Sequence, residues 1–151
     1  MMRKREKEAG FTLMELLVVV SIIAISTSIA VPTFLSWAPK FRLNSAADEL
    51  EKNLMLARVS AISQNCNIIV NFFESQRKYT ITYKDKVDVV ELPAGTYFSG
   101  IGTSTLTFNT IGQADSNMEI KIYSDSNKLT DKKRKITVRA VTGIARVSRG
   151  W

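Results

Sequence analysis

Apolar and polar positions fall into three successive patterns along this chain. Residues 1–10 are polar, with Arg3, Lys4, Arg5 and Lys7 ahead of an apolar run. From Leu16 to Trp37 there are 22 residues without a charge, and Glu15 is the one charge between residues 11 and 38. A bilayer core takes roughly 20 helical residues, so this run is long enough to cross one. It is rich in Val and Ile, modest helix formers in water, but in lipid a helix is the way a single segment satisfies its own backbone. After Pro39 the pattern turns amphipathic. Ala46, Leu50, Leu54, Ala57, Ala61 and Ile62 recur at three- and four-residue spacing, while Asp48, Glu49, Glu51, Lys52 and Arg58 take other positions. This predicts a helix over 43–65, with Asn44 or Ser45 capping its start and Asp48 and Glu49 suiting its dipole. From 67 to 147 the period shortens. Residues 67–73, 79–83, 87–92, 105–108, 118–123, 135–140 and 144–147 are β-branched and aromatic runs divided by Gly, Asn, Asp and Ser. They predict an antiparallel sheet covering the apolar stripe of the helix, an α+β fold.

Pro32 falls late in the apolar run and lacks the amide for an i→i−4 bond, which predicts a helix kink near Ser28–Val31. Pro39, with Trp37 nearby, predicts a second bend and an interfacial aromatic. The organisation read from these breaks is a polar leader over 1–10, a membrane-spanning helix over 11–38, and a head over 39–151. The basic residues before the run put the short N-terminus in the cytoplasm and the head outside it.

Charge sharpens this division. Residues 1–120 hold equal numbers of basic and acidic residues, so the formal charge of +7 comes from residues 121–151. Such local asymmetry points to an acidic partner. Cys66 is the one cysteine, which excludes an intramolecular disulfide; between a helix and an apolar strand it reads as a buried, inert thiol. There is no His, and no Gly-rich phosphate loop. Nothing assembles a nucleophile–base pair, a metal site or a cofactor site, so catalysis is not expected.

Three readings compete for the N-terminal segment. A secretory signal has an apolar core of about 7–15 residues with small residues after it; this run is longer, and Ala30-Val31-Pro32 suits such a site poorly. A plain single-span anchor fits the length but leaves Glu15 unexplained. The third is a prepilin leader. Gly10-Phe11-Thr12-Leu13-Met14-Glu15-Leu16-Leu17-Val18-Val19 closely resembles the prepilin signature. In that family a membrane-embedded prepilin peptidase cuts after the Gly and N-methylates the new terminal Phe. The resemblance implies cleavage at Gly10–Phe11, methylation of Phe11, and an assembly role for Glu15. A carboxylate within an apolar span costs roughly 2.5–3.5 kcal/mol on insertion scales. The amine that cleavage creates on the Phe11 of a neighbouring subunit would compensate it; the plainer reading is a Glu near the membrane edge, reaching water or protonated.

The resemblance extends along the chain. Val31-Pro32-x-Phe34, Arg42-Leu43-x-Ser45-Ala46-Ala47-x-Glu49-Leu50 and Leu56-Ala57-Arg58-x-x-Ala61-Ile62 are similar to the GspH/FimT group of minor pilins and pseudopilins. So are Leu92-Pro93-Ala94-Gly95, Leu106-Thr107-Phe108-x-x-x-Gly112 and Thr142-Gly143. This implies a type IV pilin-like fold and a low-abundance subunit of a type II secretion pseudopilus or type IV pilus, at its initiating or tip complex. The implied partners are prepilin peptidase, other pilin subunits, an inner-membrane assembly platform and membrane lipid.

The basic C-terminus carries the second candidate site: Lys132, Lys133, Arg134, Lys135, Arg146 and Arg149, with Arg139 between. Such clusters bind phosphate backbones in a salt-sensitive way, and some members of the resembled group bind DNA in natural transformation through a Gly-Arg-x-Arg segment. Here that stretch reads Gly143-Ile144-Ala145-Arg146, keeping the second Arg alone. The competing and favoured reading makes Lys132–Lys135 a solvated loop at a hairpin turn, with Arg139 on a strand's outer face. A third use is contact with anionic lipid or an acidic neighbouring subunit. Trp151 is a candidate for stacking on a base or for packing on the head. What separates a DNA site from a structural role is whether these cations converge on one exposed face.

Overall fold

The computed structural model describes residues 11–127 and 131–149; the leader, Gly10 and Trp151 lie outside these. The chain divides into two compact units between Leu35 and Ser36. One helix, α1 (Leu13–Ser63), contributes to both.

In the first unit, α1 includes an 18-residue stretch of mean hydropathy 2.3, long and apolar enough to cross a membrane. Its hydroxyls find acceptors within the helix itself. Ser21 Oγ donates to the Leu17 carbonyl, Ser26 Oγ to Ile22, Thr27 Oγ1 to Ile23 and Thr33 Oγ1 to Ile29. This back-bonding lets a polar side chain sit in an apolar run. The helix continues through Pro32 and Pro39. Each proline withholds one amide, and the turns on either side carry the helix past it.

The second unit holds the core. Leu43, Ala46, Ala47, Leu50, Leu54, Ala57 and Ala61 form the buried stripe of α1. Ile62, expected in the stripe, is exposed. The helix does not restart at Asn44 or Ser45, because nothing after Pro39 breaks it; Asn44 is an interior residue that serves another purpose, described below. It ends where the sequence predicted. Asn65 adopts φ 47°, its amide donates to the Ile62 carbonyl, and the Cys66 amide donates to Ala61, a Schellman stop with Asn in the left-handed position. Cys66 is half-buried at the edge of the core rather than enclosed in it.

Among the described residues the strands form two four-stranded antiparallel sheets, where one was expected. They are β1 (Ile68–Phe73), β2 (Lys78–Thr82), β3 (Val87–Glu91), β4 (Thr96–Phe98), β5 (Thr103–Phe108), β6 (Met118–Ser124), β7 (Lys133–Val138) and β8 (Ala145–Arg149). The first sheet runs β3-β2-β1-β5 and the second β4-β6-β7-β8. The three-residue β4, which the sequence reading missed, pairs with β6 and carries Phe98 into the core. There Phe98 meets Phe72 edge-on at 5.9 Å and Tyr79 at 6.5 Å, joining the aromatic residues of both sheets. Inward residues alternate along each strand: Ile68, Val70 and Phe72 on β1, Ile120 and Ile122 on β6, Ile136 and Val138 on β7.

Four polar side chains of α1 fix its register on this core. Arg134 Nε donates to Asn44 Oδ1 (2.9 Å), the Val147 amide to Glu51 Oε1 (3.3 Å), Asn53 Nδ2 to the Tyr79 hydroxyl (2.7 Å), and Arg58 Nε to the Gly112 carbonyl (3.0 Å). Burial pushes the Tyr79 hydroxyl up to about 12, so it stays neutral and accepts the Asn53 amide.

Glu74, in a 3-10 turn (Glu74–Gln76), closes the connection between β4 and β5. Its carboxylate accepts the amides of Gly100 (3.1 Å), Ile101 (3.0 Å) and Gly102 (2.6 Å). The Gly102 and Gly100 amides hold its carboxyl below the ordinary value of 4.5. A group whose folded pKa lies below its unfolded one adds stability above the unfolded pKa and loses it as pH falls through the folded one. Glu74→Gln should therefore unfold more easily than the wild type at pH 7. The gap between their thermal midpoints should narrow steadily below pH about 4.5; a gap constant from pH 7 to pH 3 would show that the carboxylate charge is immaterial.

Candidate functional sites at the two ends of the sequence

The first site lies at the start of α1. Phe11 is exposed, and Thr12 stands immediately before the first helical residue. Thr12 Oγ1 accepts the Glu15 amide at 3.1 Å, and its carbonyl accepts the Leu16 amide. Thr12 is thus the N-cap and Glu15 the third helical position, the Thr-x-x-Glu arrangement of a capping box. The sequence reading missed this, though the spacing shows it. The acid also sits in the first turn, where the helix dipole favours negative charge. Cleavage before Phe11 would leave this cap intact, one residue inside the new terminus.

The second site is the basic C-terminus, and its cations divide between the two sides of the sheet. Lys133, Arg134 and Lys135 belong to strand β7 and not to a solvated loop. Strand alternation sends Arg134 inward with Ile136 and Val138, and its side chain is 2% exposed. Its Nε meets Asn44, one terminal nitrogen donates to the Lys133 carbonyl at 2.6 Å, and the same nitrogen pairs with Asp131 at 2.9 Å. Arg134 is an anchor between β7 and α1.

Lys133 and Lys135 point to the outer face of the second sheet, where Lys135 pairs with Glu119 at 3.1 Å. Arg146 on β8 stands opposite Thr137 on that same face. Arg149 stands opposite Arg134, on the other side of the sheet, at the exposed end of β8. Lys132 precedes β7 and is half-buried. Arg139 lies just beyond β7, exposed in the turn to β8 rather than on a strand. Of the six candidates, Lys133, Lys135 and Arg146 share the outer face.

Among the described residues, no group of three or more Cys, Asp or Glu side chains is placed to hold a metal ion.

Residues 5–31 match the prokaryotic N-terminal methylation motif. No curated protein matches the sequence. Among solved structures, the minor pseudopilin EpsH from the type 2 secretion system of Vibrio cholerae is similar, with a TM-score of 0.59 at 14% identity. That match covers 72% of this chain and 97% of EpsH. The type IV minor pilin FimU of Pseudomonas aeruginosa is similar with a TM-score of 0.52 at 20% identity, over 74% of this chain and 90% of FimU. The chain thus joins a prokaryotic N-terminal methylation motif and a membrane-length apolar helix to the fold of minor pseudopilins and minor pilins.

Proposed function

We propose that this chain is a minor pilin or pseudopilin subunit, cut by prepilin peptidase between Gly10 and Phe11, methylated on Phe11, and assembled with other pilin subunits into a type II secretion pseudopilus or type IV pilus. Its place is the initiating or tip complex. Before assembly it stands in the bacterial inner membrane as a single-pass protein, in contact with lipid and the assembly platform, with its head on the extracytoplasmic side. The observation that carries this reading is the Thr12-capped helix start bearing Glu15, directly ahead of an uncharged run of membrane length. A soluble head needs none of these features. The solved structures it resembles are a minor pseudopilin and a minor pilin by name, in line with a structural rather than a catalytic role.

Glu15 would neutralise the new amine of a neighbouring Phe11, which offsets the cost of carrying a carboxylate into an apolar filament core. Pro32 would ease bending of the helix during extraction, since it leaves the Ser28 carbonyl without its usual donor. The nucleic-acid reading is the weaker one: Arg134 is committed to the core, Lys135 to Glu119, and Ile144 stands where an Arg would be needed.

The test is the mass of the chain recovered from cells with and without a prepilin peptidase. The processed chain should begin at Phe11 and carry one additional methyl group. Glu15→Ala should be processed in the same way yet fail to enter filaments. A chain that keeps residues 1–10 in the presence of an active peptidase would overturn the reading.

A further inference from the structure

Three elements close tightly together beside the C-terminal half of α1. The Arg58 guanidinium donates to the Gly112 carbonyl, and a Cβ on Gly112 would come within 2.6 Å of Ile62 Cδ1. A Cβ on Gly143 would come within 2.0 Å of the Gly112 oxygen. The turns at 109–113 and 139–143 are therefore seated on Arg58 and Ile62. Outward from this junction stand Ile111, 67% exposed, and Val141, 78% exposed, beside the half-exposed Ile62. Next to it opens a groove of about 550 Å3 lined by Arg139, Arg146, Thr142, Ile144 and their neighbours on β7 and β8. No acidic residue lines it, and among the described residues no acid forms an ion pair with Arg139 or Arg146.

Bulky aliphatic side chains held on glycine-tight turns, next to two arginines, have the composition of a protein-binding surface. Arginine is enriched in such interfaces and lysine depleted. A polyanion track would instead present cations in series and would gain nothing from Ile111 and Val141. The groove's charge calls for carboxylates. A second copy of this chain is a poor source, because each copy carries a formal +7, still +5 once residues 1–10 are removed, and copies repel.

We infer that the groove of Arg139 and Arg146, with its aliphatic rim of Ile62, Ile111 and Val141, docks an acidic face of a different pilin-like subunit. An Asp or Glu of the partner enters between the two arginines, and partner aliphatics cover the rim. The inference rests on the reading of the chain as an assembling subunit and adds the surface and the partner's chemistry.

The experiment places a photo-crosslinking amino acid at Val141 of the full-length chain in cells that make the filament, with a second series at Val89, on the exposed edge strand β3, as a folding and background control. The expected product joins Val141 to a protein that bears its own N-terminal methylation motif, through a peptide containing Asp or Glu. Arg139→Glu with Arg146→Glu should lower that yield about ten-fold or more and leave the Val89 pattern unchanged. Reversing the partner's acid should restore it. The inference is overturned if the product is a second copy, if the captured molecule is nucleic acid, or if charge reversal leaves the yield unchanged. N-terminal processing in the same cells is the separate readout. A processed chain without charge-dependent capture overturns this inference alone, while an unprocessed chain overturns the filament reading.

Discussion

Gly143→Ala should lower the stability of the 36–151 unit by about 3 kcal/mol, one of the two largest single effects expected in this fold. Two costs add. Gly143 holds φ 62°, where an L side chain costs roughly 1–2 kcal/mol. Its new Cβ would also stand 2.0 Å from the Gly112 carbonyl oxygen, and the Arg58 side chain would be 3.1 Å away. The first obstacle is backbone and cannot rotate aside, so the 109–113 and 139–143 turns must separate, at an overpacking cost of about 1–3 kcal/mol. Separation also pulls the Gly112 oxygen from Arg58. Gly112→Ala offers the control. It holds φ 77°, but its Cβ would meet the end of the exposed Ile62 side chain, which can move. That change should cost about 1–2 kcal/mol. Urea unfolding of the two variants measures the difference; equal losses would mean that the close approach of the turns contributes nothing beyond the glycine conformation.

What was legible in the sequence follows from how far each signal reaches. Strand alternation and the amphipathic stripe are local, and seven of the eight strands and the end of α1 were found from them. Partner choice is not local: the same runs satisfy one sheet or two, and the three-residue β4 is too short to show a period. The predicted cap at Asn44 failed for a physical reason, since a single proline removes one amide and a long helix with neighbours on both sides absorbs that loss. At the N-terminal site, the motif and its apolar run were plain, and the Thr-x-x-Glu spacing that places the Thr12 cap was present without being read. At the C-terminal site, the run Lys132-Lys133-Arg134-Lys135 was read as a block of like charge. Its period of two was the better guide, because Arg134 falls on the face of Ile136 and Val138.

Arg134→Ala should cost the unit about 3 kcal/mol, and the loss should be one of folding rather than of binding. The guanidinium is enclosed, and it holds the Asn44 side chain, the Lys133 carbonyl and Asp131 in one place. Truncation leaves a cavity and strands the Asn44 acceptor, while Asp131, 48% exposed, remains solvated. Lysine should recover little, since one ammonium cannot present the planar fork that reaches Asn44 and Asp131 together. Methionine fills the space but leaves Asn44 unpaired, so Arg134→Met should lie between Ala and wild type. Arg134→Met with Asn44→Leu removes both halves of the polar contact and should return to within about 1 kcal/mol of wild type. Thermal unfolding of this series tests the order Ala, then Lys, then Met, then the double variant. A double variant no better than Met alone would mean that the Asn44–Arg134 bond is not what Arg134 contributes. The consequence reaches the functional question. Reversing the charge of the whole 132–135 run puts a carboxylate at an enclosed position and should unfold the head. A loss of nucleic-acid or partner binding after that change says nothing about a surface. Variants confined to Lys133, Lys135, Arg139 and Arg146 change the exposed charge while leaving the anchor between β7 and α1 in place.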